Sequence, residues 1–426
     1  MSLFGSLNTA VGGLNAQSVA LGSISDNVAN SQTIGFKGTN TAFVNYLTES
    51  SPNTHSPGAV VARPQYTNSV QGAVTQVSNP TALAVSGNGM FAVQRPVGNS
   101  SFSPQQYYTR VGDFAPDSDG FLVNSTGYAL DGWPAVGAGG KQFDPNAIGP
   151  IQVSKAPSVP VPTANVALSA NLPSTPPAGV TSYTNSVQIR DAGGNAQNLK
   201  LVWDQVPNTP TTSNQWNLTV SSPGSAAAAT GPLLVQFGKT PADAGTIASI
   251  GANSQPAGTP ATVSVPLDYG LGAQAVTLDL GQFGKPNGVT QFAGGDYQVT
   301  SQSQDGAAQG NYSSVTIQPS GNVVINYDNG RNATIARIPL VSFNNPDALQ
   351  QQDGQAFTGT IDSGSPNVVA AGTGGTGKMI VGAEEGSNVD IASQFTKMIV
   401  AQRAYTANTK VVTTANQLLQ DTLNML

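Results

Sequence analysis

The sequence predicts a mainly β fold with α-helical termini. N- and C-terminal heptad helices pair as a coiled coil, and there are two β-rich domains, the outer one inserted into the inner one. Three observations carry this expectation. Both ends of the chain lack proline and repeat apolar residues every seven positions. The middle consists of short alternating runs bounded by Gly, Asn, Asp and Pro. Charge is scarce: Asp, Glu, Lys and Arg make up 9% of the 426 residues, against about 25% in an average soluble protein. At roughly 150 residues per domain the length suits about three domains.

The first helix runs from Leu3 to about Ala29. Leu7, Leu14, Leu21 and Val28 are seven apart, and Leu3, Ala10 and Ile24 fill the intervening seam position with Gln17 as a polar intruder. The last runs from Val389 to Leu426. Ile391, Met398, Tyr405, Val412, Leu419 and Leu426 form one seam, and Phe395, Gln402, Thr409, Asn416 and Leu423 the other. Ser387-Asn388-Val389-Asp390 has the Ser-x-x-acidic form of a capping box, which puts the helix start near 387. At about 1.5 Å per residue this helix is about 55 Å long. Either segment alone also suits an amphipathic helix on a globular core. Two of them flanking a β-like middle predict that the ends meet each other or neighbouring copies. Few charges decorate them, so polar seam residues such as Asn416 and Gln402 are expected to fix register.

Between the terminal helical segments, 1–30 and 386–426, the chain divides further. Residues 31–75 are rich in Asn, Thr and Ser and read as an extended connecting segment. An inner β domain is expected from 76–160 and 306–385, and an outer β domain from 163–305. Runs such as Gly89–Val93, Asn198–Trp203 and Val323–Tyr327 read as strands. Asp119-Gly120, Asn329-Gly330 and Asp353-Gly354 are hairpin-turn signals. The proline-rich run 156–162 marks a domain boundary.

Composition excludes several function classes. A net charge of -6 argues against a general nucleic-acid binder. With no Cys and His55 as the sole histidine, zinc and iron–sulfur sites and Cys nucleophiles fall away. Gly372–Lys378 nearly matches a phosphate-binding loop. It fails at Met379, where Ser or Thr belongs, and the residues after it read as a strand, not a helix. Asp113, Asp117, Asp119 and Gly120 hint at a calcium loop, but the spacing fits a hairpin turn better. Glu49, Glu384 and Glu385 flank the terminal helices and suggest no catalytic pair. The expectation is no enzyme, no cofactor and no metal. No run of 18 apolar residues predicts a membrane span, and the N-terminus lacks the basic region of a standard secretory signal.

Ala10–Ala16, Asp26-Asn27-Val28-Ala29-Asn30 and Thr33-Ile34-Gly35-Phe36-Lys37 resemble the N-terminal signature of bacterial flagellar rod and hook proteins. Glu385-Gly386-Ser387-Asn388-Val389-Asp390-Ile391-Ala392, followed by Met398–Tyr405 with Gln402 and Arg403, resembles their C-terminal signature. Val85–Phe91, Tyr108–Phe114, Asp119–Val123 and Gly127–Trp133 resemble their shared β domain. One departure is Ser31-Gln32-Thr33-Ile34, where an Asn-Thr run is more usual. The 163–305 insertion points to the hook branch. The resemblance implies a structural subunit that self-assembles into a flexible tubular universal joint carrying motor torque from rod to filament. Its implied partners are further copies of itself, the rod, hook cap and hook–filament junction proteins, and the flagellar type III export apparatus. The implied location is extracellular, in the hook, reached without a cleaved signal peptide. Small uncharged surfaces suit sliding contacts between copies, with hinges expected at 156–162 and near the 31–75 and 378–387 connections. A distal rod protein is the nearest alternative, and a secreted glycan-binding β protein a remoter one.

Overall fold

A computed structural model of the chain describes residues 3–51, 54–98, 101–137, 140, 142–207 and 214–424. Contacts divide it into two compact units. The first comprises Met1–Lys155, Ser314–Asn326 and Asn332–Leu426, and the second Ala156–Ser313 and Tyr327–Arg331.

In the first unit, helix α1 spans Leu3–Ala29 and helix α2 spans Ile391–Asn424. α2 has 34 residues, so it is about 51 Å long at ~1.5 Å per residue. It starts later than the sequence predicts. Asp390 is the N-cap: its Oδ1 accepts the Ser393 N–H at 2.8 Å, and its carbonyl accepts the Gln394 N–H. Ser387 Oγ instead accepts the Val389 N–H in the approach to the helix. The capping box is not used because the Asn388 side chain is committed elsewhere and holds 387–389 outside the helix.

The segment expected to be a plain connector is a long antiparallel hairpin, β1 (Thr39–Ser51) with β2 (Thr54–Tyr66). Its register runs from Thr39↔Tyr66 to Ser51↔Thr54, with irregularities between Asn45 and Glu49. The alternation is weak in sequence because the ribbon is only partly covered. Phe43, Tyr46 and Val61 remain exposed.

The rest of the first unit is organised around the strand Ala129–Val136. It pairs antiparallel with Phe91–Gly98, Asn332–Arg337, Gln142–Phe143, Gly149–Pro150 and Leu122–Val123. The turn signals are real: Gly120, Gly330 and Gly354 all have positive φ. Asp117 Oδ1 accepts the N–H groups of Asp119 and Phe121, so the acidic cluster there builds a turn. The glycine-rich run 372–377 leads into the strand Lys378–Val381, paired with Leu83–Ser86.

The second unit contains two sheets. Ser182–Arg190, Ala196–Gln205, Gln215–Ser221, Thr230–Phe237 and Ile247–Ile250 form an antiparallel meander. The other sheet orders Pro260–Asp268, Ala273–Gln282, Asn165–Asn171 and Val289–Thr290, with Gln298–Gln304 also on Asn165–Asn171. Strict alternation, as in Pro260–Asp268 where every second residue is buried, gives each sheet one apolar face. Those faces meet in a core that includes Leu199, Trp203, Trp216, Phe237 and Leu278. The proline-rich run begins this unit, and its strand-like part is paired: Ser158 N–H donates to Gly310 O, and Val161 bridges to Ala307.

Candidate functional site

α1 packs on α2 and on the β1–β2 hairpin. Its buried stripe is made of small residues: Ala10, Gly13, Ala16 and Ala20, then Ile24 and Asn27. Leu7, Leu14, Leu21 and Val28 are half-buried beside it. On α2 the buried residues are Gln394, Ala401 and Ala415, with Met398, Asn408, Val412 and Leu419 half-buried along the same seven-residue stripe. Small side chains let two helices approach closely. A Cβ on Gly13 would lie 2.8 Å from Asn408 Nδ2.

Much of the rest of α2 is exposed. Ile391, Phe395 and Tyr405, expected on the seam, are exposed, as are Ile399, Val400 and Leu418. Gln402, Arg403 and Asn416 are exposed too. Leu423 is helical in backbone, and Leu426 lies outside the described residues. The buried polar pair is not Asn416 and Gln402 but Asn27 with Gln394, 3.4 Å apart. Sequence spacing could not separate the seam between the two helices from the face each leaves uncovered, because both are apolar.

At the base of the helices, motif residues from both chain ends converge. Asn27 donates Nδ2–H to Thr39 O at 2.8 Å and accepts the Thr39 N–H at 2.9 Å, which ties the end of α1 to the start of β1. Asn30 closes the same turn by donating to Asp26 O and Oδ1. Asn388 Oδ1 accepts the Gly38 N–H at 2.8 Å, and its Nδ2 donates to Thr67 O and Val70 O. Phe36 is buried, and its carbonyl accepts the Asn388 N–H. Val389 is half-buried against Gly38.

Beneath this lies a buried ionic triad. Lys37 Nζ is 2.5 Å from Glu385 Oε1, and Arg110 Nη1 is 2.8 Å from Glu385 Oε2. All three side chains are at least 96% buried. Lys37 also donates to Val70 O at 2.7 Å, Arg110 Nη2 to Gly87 O at 2.8 Å, and the Gly72 N–H to Glu385 Oε1 at 2.9 Å. Burial pushes the Lys37 ammonium below the ordinary lysine range. The attraction of Glu385 raises it again, and the charge of Arg110 adds a smaller lowering.

Two glycines are dictated by this geometry. Gly35 has φ +68°, and its N–H donates to Glu385 O at 2.8 Å. At Gly72 a Cβ would overlap the carbonyl of Gly386. The 31–75 and 378–387 connections, near which hinges were expected, are tied to each other through Lys37, Gly72 and Glu385 by buried charge-assisted hydrogen bonds. Arg110 and Glu385 stand within the motifs the sequence singles out, but nothing in the sequence pairs them. The available signal was isolated charge in otherwise apolar motifs of a charge-poor chain.

Above the clasp, a groove of about 410 Å³ lies among α1, α2 and the hairpin, lined by Ile24, Phe43, Gln394, Lys397, Val400 and Ala401 among others. Lys397 Nζ donates to Asn40 Oδ1 at its edge. Among the described residues no group of His, Asp and Glu is arranged to hold a metal ion, and no helix is long and apolar enough to cross a membrane.

The fold and the clasp define a structural protein whose two chain ends form one helical element anchored to a β unit. Comparison with known proteins makes this specific. Residues 7–37 match the profile "Flagella basal body rod protein", 84–193 "Flagellar hook protein FlgE/F/G D1 domain", 162–307 "Flagellar basal body protein FlaE D2 domain", and 380–425 "Flagellar basal body rod FlgEFG protein C-terminal". The chain is 33% identical to the flagellar hook protein FlgE of Rhizobium meliloti over 436 residues, covering 100% of both chains. It is 28% identical to that of Salmonella typhimurium over 434 residues, covering 99% of this chain and 100% of the relative. A crystal structure of the Helicobacter pylori flagellar hook protein FlgE2 aligns with 72% of this chain and 98% of its own at 14% identity and a TM-score of 0.48. The chain belongs to the flagellar hook protein family and is a structural hook subunit. The rod alternative is not favoured, since hook proteins match it from end to end.

Proposed function

We propose that the chain polymerises through its terminal helices into the tubular, bendable joint that passes motor torque from rod to filament, a mechanical role with no catalytic step. The observation that carries this reading is the outward face of α2. Ile391, Phe395, Ile399, Val400, Tyr405 and Leu418 are 41–62% exposed on one helix, and exposed apolar side chains gathered on one element mark an interaction site. Neighbouring copies cover that face, and the α1–α2 pairs line the tube as a coiled-coil layer. The seam residues Leu7, Leu14, Leu21, Ile24, Val28, Met398, Val412 and Leu419 serve cohesion within and between pairs.

The clasp gives the torque path its stiff element. A force on the helices reaches the β unit through Lys37, Glu385, Arg110, Asn27 and Asn388 without a slack linker. The ends of the tube meet rod, cap and junction proteins, and the chain leaves the cell through the flagellar export apparatus without a cleaved signal peptide.

The test is polymerisation of purified full-length chain against chains lacking 1–30 or 390–426, followed by electron microscopy. Intact protein is expected to form tubes and both truncations to stay monomeric. Tubes from either truncation at the intact rate overturn the helical mechanism.

A further inference from the structure

Asp131 lies on Ala129–Val136, the strand to which five others pair. It is fully buried. Its Oδ2 accepts one hydrogen bond, from Gln106 Nε2 at 3.2 Å, and its Oδ1 has no hydrogen-bond partner. The surroundings explain this. Across one edge it faces Pro150, which has no N–H to give. Across the other, Leu130 pairs with Val93, so Asp131 falls beside Ala92, and Ala92 pairs with Tyr108. Ala92 and Tyr108 belong to an apolar cluster with Met90, Val341, Leu349 and Phe357.

Among the described residues no cation forms an ion pair with the carboxyl. Arg337, on Asn332–Arg337, donates Nε to Ser320 O and sits 5.7 Å over the Phe143 ring. Arg95, on Phe91–Gly98, acts on Tyr128. Among the described residues the ion pairs are those of the Lys37–Glu385–Arg110 triad. The other titratable groups on the packed elements are Tyr107, whose ring meets that of Tyr128 edge-on at 5.5 Å, and Tyr108, whose phenol is pushed up by burial and by Asp131; Asp144, just past Gln142–Phe143, accepts the Asn146 N–H.

We propose that Asp131 is a proton switch in the first unit: as the neutral acid it lets the central strand stay closed, and its ionisation loosens the pairing around that strand. A neutral carboxyl can sit in this pocket with one hydrogen bond, whereas a buried carboxylate with an unpaired oxygen is costly. Burial pushes the Asp131 carboxyl up to about 7, against the Gln106 hydrogen bond, which lowers it. The unfolded chain releases the same proton near the ordinary aspartate value of about 3.9. Between those values the folded chain binds the extra proton. Stability from this group is therefore full below about 4, falls as pH rises to about 7, and is level beyond.

The experiment compares the full chain with Asp131→Asn in denaturant unfolding from pH 5 to 8. The variant keeps the shape without the charge. The folding equilibrium constant of the native chain relative to the variant is expected to fall on the order of a hundredfold across that range. Amide exchange at 129–136 and its partner strands should speed up with pH more in the native chain than in the variant, beyond the base-catalysed rise common to both. Parallel curves for the two chains overturn the proposal. Infrared titration of the native chain decides the point even if the variant does not fold. A carboxylic-acid carbonyl band present at pH 6 and lost by pH 8 supports the switch, and a folded chain with no such band at pH 6 refutes it.

Discussion

Trp203 and Trp216 in the second unit are fully buried, whereas Phe395 and Ile399 on α2 are 50% and 52% exposed. The two regions are stabilised by different means. The second unit closes on itself: two sheets turn alternating apolar faces inward into one core, with Val159, Leu271, Phe292 and Val299 left exposed at its surface. The terminal helices bury a narrow stripe of Ala, Gly, Asn and Gln with Ile24, half-bury Leu7, Leu14, Leu21, Val28, Met398, Val412 and Leu419, and leave Phe395, Ile399 and Val400 exposed. What fixes them is polar, a buried triad and a set of Asn side chains at their base. The difference separates a part whose apolar faces close on each other from a part that keeps apolar side chains exposed.

The comparison can be broken at its strongest points first. Trp203→Ala is expected to destabilise the second unit by about 3–5 kcal/mol, read from the fluorescence of Trp216 during denaturant unfolding, with far-ultraviolet helicity unchanged. A drop in helicity with it would show that the regions are not separately stabilised. Glu385→Ala strands two buried cations and is expected to cost about 3–5 kcal/mol, whereas replacing Lys37, Arg110 and Glu385 together by Met recovers most of the loss. Amide exchange on α2 checks it, and equal losses in both variants would mean that packing, not charge, makes the clasp.

Smaller effects sharpen the contrast. Asp390→Ala removes the α2 cap and should cost about 1 kcal/mol, seen as faster exchange in the first turn of that helix. Phe395→Ser combined with Ile399→Ser should change monomer stability by no more than about 0.5 kcal/mol. The same pair should delay polymerisation measured by light scattering. A destabilised monomer with normal polymerisation would place that face inside the subunit instead of between subunits.

The start of α1, the existence of α2 and the strand content were legible, since each is written in local period or turn residues. The hairpin β1–β2 was not, because its partly exposed strands carry no strong alternation and its pairing is a matter of backbone. The start of α2 was misread by a few residues, because Asn388 reaches across to Thr67 and Val70, contacts invisible in a capping pattern.

By itself, the sequence determined that both ends are helical, that the middle is β, that charge is scarce and that the terminal motifs are those of an axial flagellar protein. Only the tertiary structure decided which face of each helix is covered and which is exposed. It alone brought Lys37, Arg110 and Glu385 together across hundreds of residues, and buried Asp131 with a single side-chain hydrogen bond. The physical reason is common to all three. Periodicity reports that a residue is apolar or polar, but burial and pairing depend on what stands opposite, and that is set by long-range packing.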